Sequence, residues 1–305
     1  MDYIKTELHC HNTFSNFNVG HEEPPYDCEV TIPEQLEWAR ALGLEALFVT
    51  NHNTLNGYKQ ITQYKNNHSK YSKIQIFPAE EITTSTGAHV IAYGITKEIP
   101  AGLQLEEIID EIKKQDALSC APHPFSLLDA LRERSKACDM IEVFNSNNVD
   151  VVSNARATKF SLEHNKIGVA GSDSHVLSTL GRCVNVIESE NSLDDVLFAM
   201  RHGKITIERT GYAKEMETLE HIKYKINNSK DYLADYIREH YPNSQWLLSL
   251  LLKMYDLNQN SYLWSLFYKI AVYLMKRIST KINLLDYDPA PLKDRNIASM
   301  LRMAI

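Results

Sequence analysis

Leu44-Glu45-Ala46-Leu47-Phe48-Val49-Thr50-Asn51-His52-Asn53-Thr54 is the stretch that decides how this chain folds. Leu44 to Thr50 is an apolar run of the length of a buried strand, and it runs straight out into a histidine. Just upstream, Thr31-Ile32-Pro33-Glu34 has the form of a capping box with an early helical proline. Leu36, Ala39 and Leu42 continue one helical face, and Gly43 stops it. A helix followed at once by a buried strand is half of a parallel β-α-β unit, and the unit recurs. Leu105, Ile108, Ile109 and Ile112 keep the spacing of a helix, and Leu118 to Ala121 reads as the strand after it. Ile74 to Phe77, His89 to Gly94, Met140 to Phe144, Ile167 to Ala170 and Val184 to Ile187 are further strands. Ser192-x-x-Asp195 opens another helix, which Gly203 closes. Such alternation favours an α/β fold built on a parallel sheet, closed into a barrel or left open.

Working outward, the 305 residues suffice for one large domain or two ordinary ones, and 44% apolar with 23% charged residues is globular composition. No run approaches the ~18 apolar residues of a membrane span. The N-terminus, Met1-Asp2-Tyr3-Ile4-Lys5, lacks a basic-then-apolar signal, so a cytoplasmic protein is expected. Five widely spaced cysteines read as reduced thiols.

All 11 glycines lie at or before Gly211, as do ten of the 12 histidines. Residues 1–211 hold 29 acidic against 19 basic side chains, net −10, whereas residues 212–305 hold 10 against 13, net +3. Two parts follow: a His-rich body over 1–211 and a helical region over 212–305, with Trp246 to Leu252 and Tyr262 to Met275 rich in Leu, Tyr and Trp. The second part is expected to pack as a bundle, with a lid over the barrel or a homo-oligomer surface as the sharper readings. An acidic body is poorly suited to gripping long nucleic acid. It suits metal binding better.

The histidines of the body sit at strand ends. His9-Cys10-His11 closes the first strand, and alternation places His9 and His11 on one face with Cys10 turned away. His52 follows the second strand, Glu80 and Glu81 follow the third, His89 opens the next, His123 sits in Ala121-Pro122-His123-Pro124, and Asp173 and His175 lie in Gly171-Ser172-Asp173-Ser174-His175. In parallel α/β folds, the C-terminal ends of strands converge on one mouth. Six histidines and two carboxylates packed there without a cation would bury polar groups at heavy cost, so a metal cluster is expected. His21, His68, His164, His202, His221 and His240 lie in loops or polar helices and are expected to be solvated.

His9-x-His11, Thr50-Asn51-His52-Asn53-Thr54, Glu81-Ile82-Thr83, His123-Pro124 and Gly171-Ser172-Asp173-Ser174-His175, in this order, resemble the motifs of the PHP (polymerase and histidinol phosphatase) family over about residues 1–210. The resemblance implies a distorted (β/α)7 TIM-like barrel, a trinuclear metal site and phosphoester hydrolysis. Carried over residue by residue, it puts His9, His11, Glu81 and Asp173 around one ion. Glu81 then bridges to a second ion with His89 and His123, and His52 with His175 and Asn16 surrounds a third. Asn16 stands where relatives often have aspartate, and Asn51-His52 where they commonly have Asp-His. The register makes Glu81 the ligand and Glu80 a surface residue. The segment Asn16 to Val30, with Pro24-Pro25, reads as a loop near the mouth that shapes specificity.

Imidazole and carboxylate donors fit about two or three Mn, Zn or Fe ions better than Ca. Such ions activate a water and neutralise phosphoryl charge, making water the nucleophile. Arg182, in Leu180-Gly181-Arg182, is the expected phosphate-binding cation. Asp173 and His123 complete the catalytic set, and Asn145 is a strand-end group facing substrate. The leading expectation is a metal-dependent phosphoesterase acting on a small phosphorylated molecule, nucleotides included, with no membrane partner. The runner-up is a nuclease acting on DNA or RNA ends with the basic tail tracking the strand. The third reading is a non-catalytic, metal-stabilised interaction module.

Overall fold

The computed structural model describes residues 2–20, 23–285, 287, 289 and 302–304; His21 lies outside them. The strands are β1 (Tyr3–Cys10), β2 (Ala46–Val49), β3 (Gln75–Thr83), β4 (His89–Tyr93), β5 (Leu118–Ala121), β6 (Met140–Asn145), β7 (Ile167–Gly171), β8 (Val184–Glu188) and β9 (Ile205–Arg209). The helices of the body are α1 (Ile32–Ala41), α2 (Asn56–Asn66), α3 (Leu105–Lys114), α4 (Val151–Glu163) and α5 (Leu193–Arg201). Those of the C-terminal part are α6 (Glu215–Asn228), α7 (Lys230–His240), α8 (Gln245–Leu257) and α9 (Tyr262–Leu285).

The sheet runs β7-β6-β5-β4-β3-β2-β1-β8-β9 and curls into a distorted barrel. The curl closes where the end of β1 meets the segment after β7. His11 N–H donates to Ser174 C=O at 3.1 Å, and Asp173 N–H donates to His9 C=O at 2.7 Å. Lower down, the side chain of Asn185 on β8 substitutes for a ladder, accepting from Ala170 N–H at 3.0 Å and donating to Ala170 C=O at 2.7 Å. The sheet is not uniformly parallel. β4 runs antiparallel to both β3 and β5, and β8 runs antiparallel to β1. The turn joining β3 to β4 is too short for a crossover helix, so β4 must reverse. His89, the first residue of β4, therefore reaches the same mouth as the last residues of its neighbours.

Local signals explain the elements that were legible. At the start of α1, Thr31 N–H donates to Glu34 Oε2 at 3.0 Å, and at α5 the Ser192 hydroxyl accepts from Asp195 N–H at 3.3 Å. The interior is filled by Leu8, Phe48, Phe77, Ile91, Tyr93, Met140 and Ile187, all buried, while α1 and α3 press their apolar stripes on the outside. β3 continues past Phe77 through Glu80 and Glu81, and Glu80 is fully buried rather than on the surface. Its Oε2 accepts from Ile99 N–H at 3.1 Å. The side chain alternates away from Glu81, but helices cover that face of the sheet as well.

In the C-terminal part, α9 packs on α4, where Arg156 donates to Asn283 C=O at 2.9 Å. The outer faces of α8 and α9 leave Trp246, Leu250, Leu263 and Phe267 exposed. Among the described residues, no helix is long and apolar enough to cross a membrane.

Candidate metal centre

His9 and His11 are the innermost side chains of the mouth, both fully buried. His9 Nδ1 lies 2.9 Å from Glu142 Oε1, and His11 Nδ1 lies 2.9 Å from Ser15 Oγ. Ser15 Oγ–H donates to Asn51 Oδ1 at 3.0 Å, so its lone pairs are left to accept from His11 Nδ1–H. An Nδ1 proton given to these acceptors leaves Nε2 pointing inward, the arrangement that partners behind a metal-ligating histidine enforce. Neither Nε2 has a hydrogen-bond partner among the described residues. Each is instead 3.4 Å from Asp173 Oδ1, and they stand 3.5 and 3.3 Å from Glu81 Oε2. Four ligands held tetrahedrally at ~2.0–2.1 Å from one cation lie ~3.4 Å apart. The spacing is too long for good hydrogen bonds and right for shared coordination.

Glu81 offers its two oxygens in two directions. Oε2 faces His9, His11 and, at 3.3 Å, His52 Nδ1; Oε1 lies 3.1 Å from both His89 Nδ1 and His123 Nε2. A carboxylate placed so can serve two cations at once. A third group gathers His11, His52 and His175 around Asp27, their donor atoms all within 4.8 Å of one another. Asp27 Oδ2 lies 2.8 Å from His175 Nε2 and 3.5 Å from His52 Nε2.

Asp27 is the residue that sequence reading missed, and it changes the role of Asn16. The Asn16 amide is used up inside the loop: Oδ1 accepts from Asp27 N–H at 2.7 Å and Cys28 N–H at 2.9 Å, while Nδ2 donates to Cys28 C=O at 3.0 Å and Tyr224 Oη at 2.9 Å. It faces away from the imidazoles and splints the loop that delivers Asp27. The sequence placed this loop near the mouth, but Asp27 is one of its four acids, with Glu22, Glu23 and Glu29, and no spacing singled it out. Glu142 was likewise read as strand interior, yet it orients His9 and accepts His123 N–H at 2.7 Å. Asn145 is buried and donates to Glu142 Oε2 at 2.8 Å and Asp173 Oδ2 at 3.2 Å, so it positions carboxylates and does not line an open face. Arg182 turns its guanidinium to Glu217 of α6 and away from the imidazoles. His221, expected in solvent, is half-buried: it stacks on His175 with ring centroids 4.6 Å apart, and its Nε2–H donates to Asp27 C=O at 2.7 Å.

Burial works against every charge here, and the partners decide each sign. Burial alone would raise the Asp173 carboxyl, but His9, His11 and His175 hold it well below the usual range; Glu81 and Asp27 are lowered in the same way. Burial would lower His89 and His175, yet Glu81 and Asp27 respectively push them up to about 9. For His52 and His221 burial wins, bringing each down to about 4. Anionic carboxylates interleaved with imidazoles hold a site ready for added positive charge.

The backbone is bent to the same end. His123 and Asp173 sit at φ +30° and +49°, a region costly for residues with a Cβ and found where surrounding structure over-determines the chain. Gly171 is required by close approach: a Cβ there would lie 1.8 Å from Glu142 Oε1 and 2.5 Å from His9 Cβ.

Residues 152–205 match the family model of the PHP-associated domain PHP_C. Over 154 residues the chain is 30% identical to the uncharacterized protein MJ1587 of Methanocaldococcus jannaschii, covering 50% of this chain and 87% of that protein. It is 34% identical over 125 residues to MJ0417 of the same organism, covering 37% of this chain and 52% of that protein. Among solved structures, PsfC from Pseudomonas syringae PB-5123 superposes with a TM-score of 0.51 at 18% identity, covering 75% of this chain and all (100%) of that one. The lesion-specific endonuclease PfuEndoQ from Pyrococcus furiosus superposes with a TM-score of 0.51 at 18% identity, covering 68% of this chain and 58% of that one. These two likenesses concern the fold.

Proposed function

Because this chain belongs to the PHP family, we propose that it is a metal-dependent phosphoesterase that hydrolyses a small phosphomonoester or nucleotide-type substrate. The observation that carries this reading is the pair of buried, unpartnered Nε2 atoms of His9 and His11, each spaced from Asp173 and Glu81 as ligands of one ion are. His9, His11, Glu81 and Asp173 would hold one divalent cation, Glu81 with His89 and His123 a second, and Asp27, His52 and His175 a third. The mixed nitrogen and oxygen donor set suits Mn, Zn or Fe. Bound there, the cations would supply Lewis acidity, offsetting charge on phosphoryl oxygens and bringing the pKa of a water toward neutrality.

The protein's own groups do the rest. Glu142, Ser15 and Asn145 keep the ligand side chains in one orientation, so little reorganisation accompanies the reaction. Cys10 is buried in the core on the far side of β1, which leaves a water rather than that thiol as the nucleophile. The donor residues are between 0% and 9% exposed apart from His89, beneath a roof formed by residues 16–20, residues 23–30 and α6. A small ester reaches such a site more readily than the interior of a duplex. Within the C-terminal part, α6 is then a cover for the catalytic barrel of 1–211.

The test is elemental analysis of the purified chain joined to a screen of aryl phosphates, nucleotides and end-labelled oligonucleotides, run beside Asp173→Ala. Bound Mn, Zn or Fe with monoester hydrolysis that the variant loses supports the reading. Preferential, salt-sensitive cleavage of oligonucleotides would favour the nuclease alternative. Metal uptake without hydrolysis of any ester would mark a non-catalytic module.

A further inference from the structure

A phosphate monoester needs a partner that stays positively charged. Arg182 is committed to Glu217, in the first turn of α6. The same helix carries Lys225 further along, with Nζ 2.9 Å from Asp27 Oδ1. The other oxygen of Asp27 faces His175 and His52, so the ammonium is one carboxylate away from the ion-holding nitrogens. The Lys225 side chain keeps 24% of its surface accessible, whereas those of His9 and Glu81 keep 0% and 1%. Lys225 stands at the rim, between solvent and the buried donors.

Its helix is held there by several independent contacts. Tyr224 Oη accepts from Asn16 Nδ2 at 2.9 Å, His221 donates to Asp27 C=O at 2.7 Å, and Ala213 N–H, just before the helix, donates to Ser146 C=O at 2.9 Å. These anchors lie in the loops after β1 and β6, so α6 crosses the mouth from one side to the other.

We propose that Lys225, supplied by the C-terminal helix, is a substrate-binding residue of this site that takes a terminal phosphoryl oxygen and so selects small phosphomonoesters. The proposal rests on the phosphoesterase reading given above. An ammonium has three donors, so one N–H keeps Asp27 while another meets the phosphoryl group, and its flexible stem allows the shift. An internal diester carries less charge at phosphorus and would have to thread its chain beneath a helix bonded at both ends of the mouth.

The experiment uses the full-length, metal-loaded chain with Lys225→Met and Lys225→Arg. Inorganic phosphate binding is measured by calorimetry, KM and kcat with p-nitrophenyl phosphate and bis(p-nitrophenyl) phosphate, metal content by elemental analysis, and folding by thermal melting. In Lys225→Met, phosphate binding should weaken at least tenfold and the monoester KM rise by a similar factor. Metal content, melting temperature and diester KM should hold, and Lys225→Arg should recover most of the loss. Unchanged phosphate binding in Lys225→Met, or weakening only in proportion to lost metal, would overturn the proposal. A wild-type chain that binds phosphate but hydrolyses nothing would sink the phosphoesterase reading, while the phosphate comparison still decides Lys225.

Discussion

Asp27 and His175 meet at 2.8 Å, although one comes from the loop before α1 and the other from the segment after β7. With His11 and His52 beside them, they make a carboxylate-and-imidazole group in the place where an asparagine ligand was expected. Asp27→Asn should lower the metal content by about one ion per chain and cut ester hydrolysis on the order of a hundredfold. Asn16→Asp should give no gain in metal affinity, because that side chain faces the loop and its two donated hydrogen bonds would be lost. A gain in bound metal on Asn16→Asp would show that the loop carboxylate is not the ligand.

Glu142 acts through His9. Replacing it by glutamine keeps the shape but weakens the acceptor behind Nδ1 or sets an NH2 against the N–H donors of Asn145 and His123. Metal affinity should fall roughly 10–100-fold, the range typical for partners behind a ligating histidine. Competition with a chromophoric chelator would measure it, and an unchanged constant would remove Glu142 from the site.

Metal uptake should depend steeply on pH. In the metal-free chain His89 and His175 are raised to about 9, so both are protonated at neutral pH and must lose that proton to become ligands. Apparent affinity should climb as pH rises toward about 9, by up to roughly tenfold per pH unit for each such histidine. Calorimetry in buffers of different ionisation enthalpy should register proton release, reduced in His175→Asn. Proton-neutral binding at pH 7 would contradict the charge distribution described here.

Glu80 makes an opposite prediction, about stability. Burial raises its carboxyl from 4.5 to about 8, against the opposing pull of the Ile99 N–H and of Lys59. The folded chain thus holds a proton that the unfolded chain has released, so stability falls as pH climbs from about 4.5 to about 8. Glu80→Gln should abolish this slope: the variants should converge near pH 4.5, and at pH 8.5 the glutamine form should be the more stable by on the order of 2–4 kcal/mol. Urea unfolding of metal-free protein across that range is the check, and parallel pH curves would refute it.

Much of the site could be read from the letters because strand side chains alternate and strand ends share a mouth. That local rule is enough to put His9 and His11 on one face and to aim His52, His123, Asp173 and His175 at a common point, whereas the choice of Glu81 over Glu80 came from the family resemblance. It says less about the other face. Glu80 was expected in water, and only the covering helices make it buried.

What the sequence determined by itself was therefore the succession of strands and helices and the donors at their ends, since periodicity and capping act between residues close in the chain. Only the tertiary structure decided which loop acid joins the imidazoles, that Asn16 braces instead of ligating, and that α6 lies across the opening with Lys225 and His221 turned inward. Those outcomes depend on contacts between distant segments, where a single charge finds its partner by packing, and no spacing along the chain encodes that.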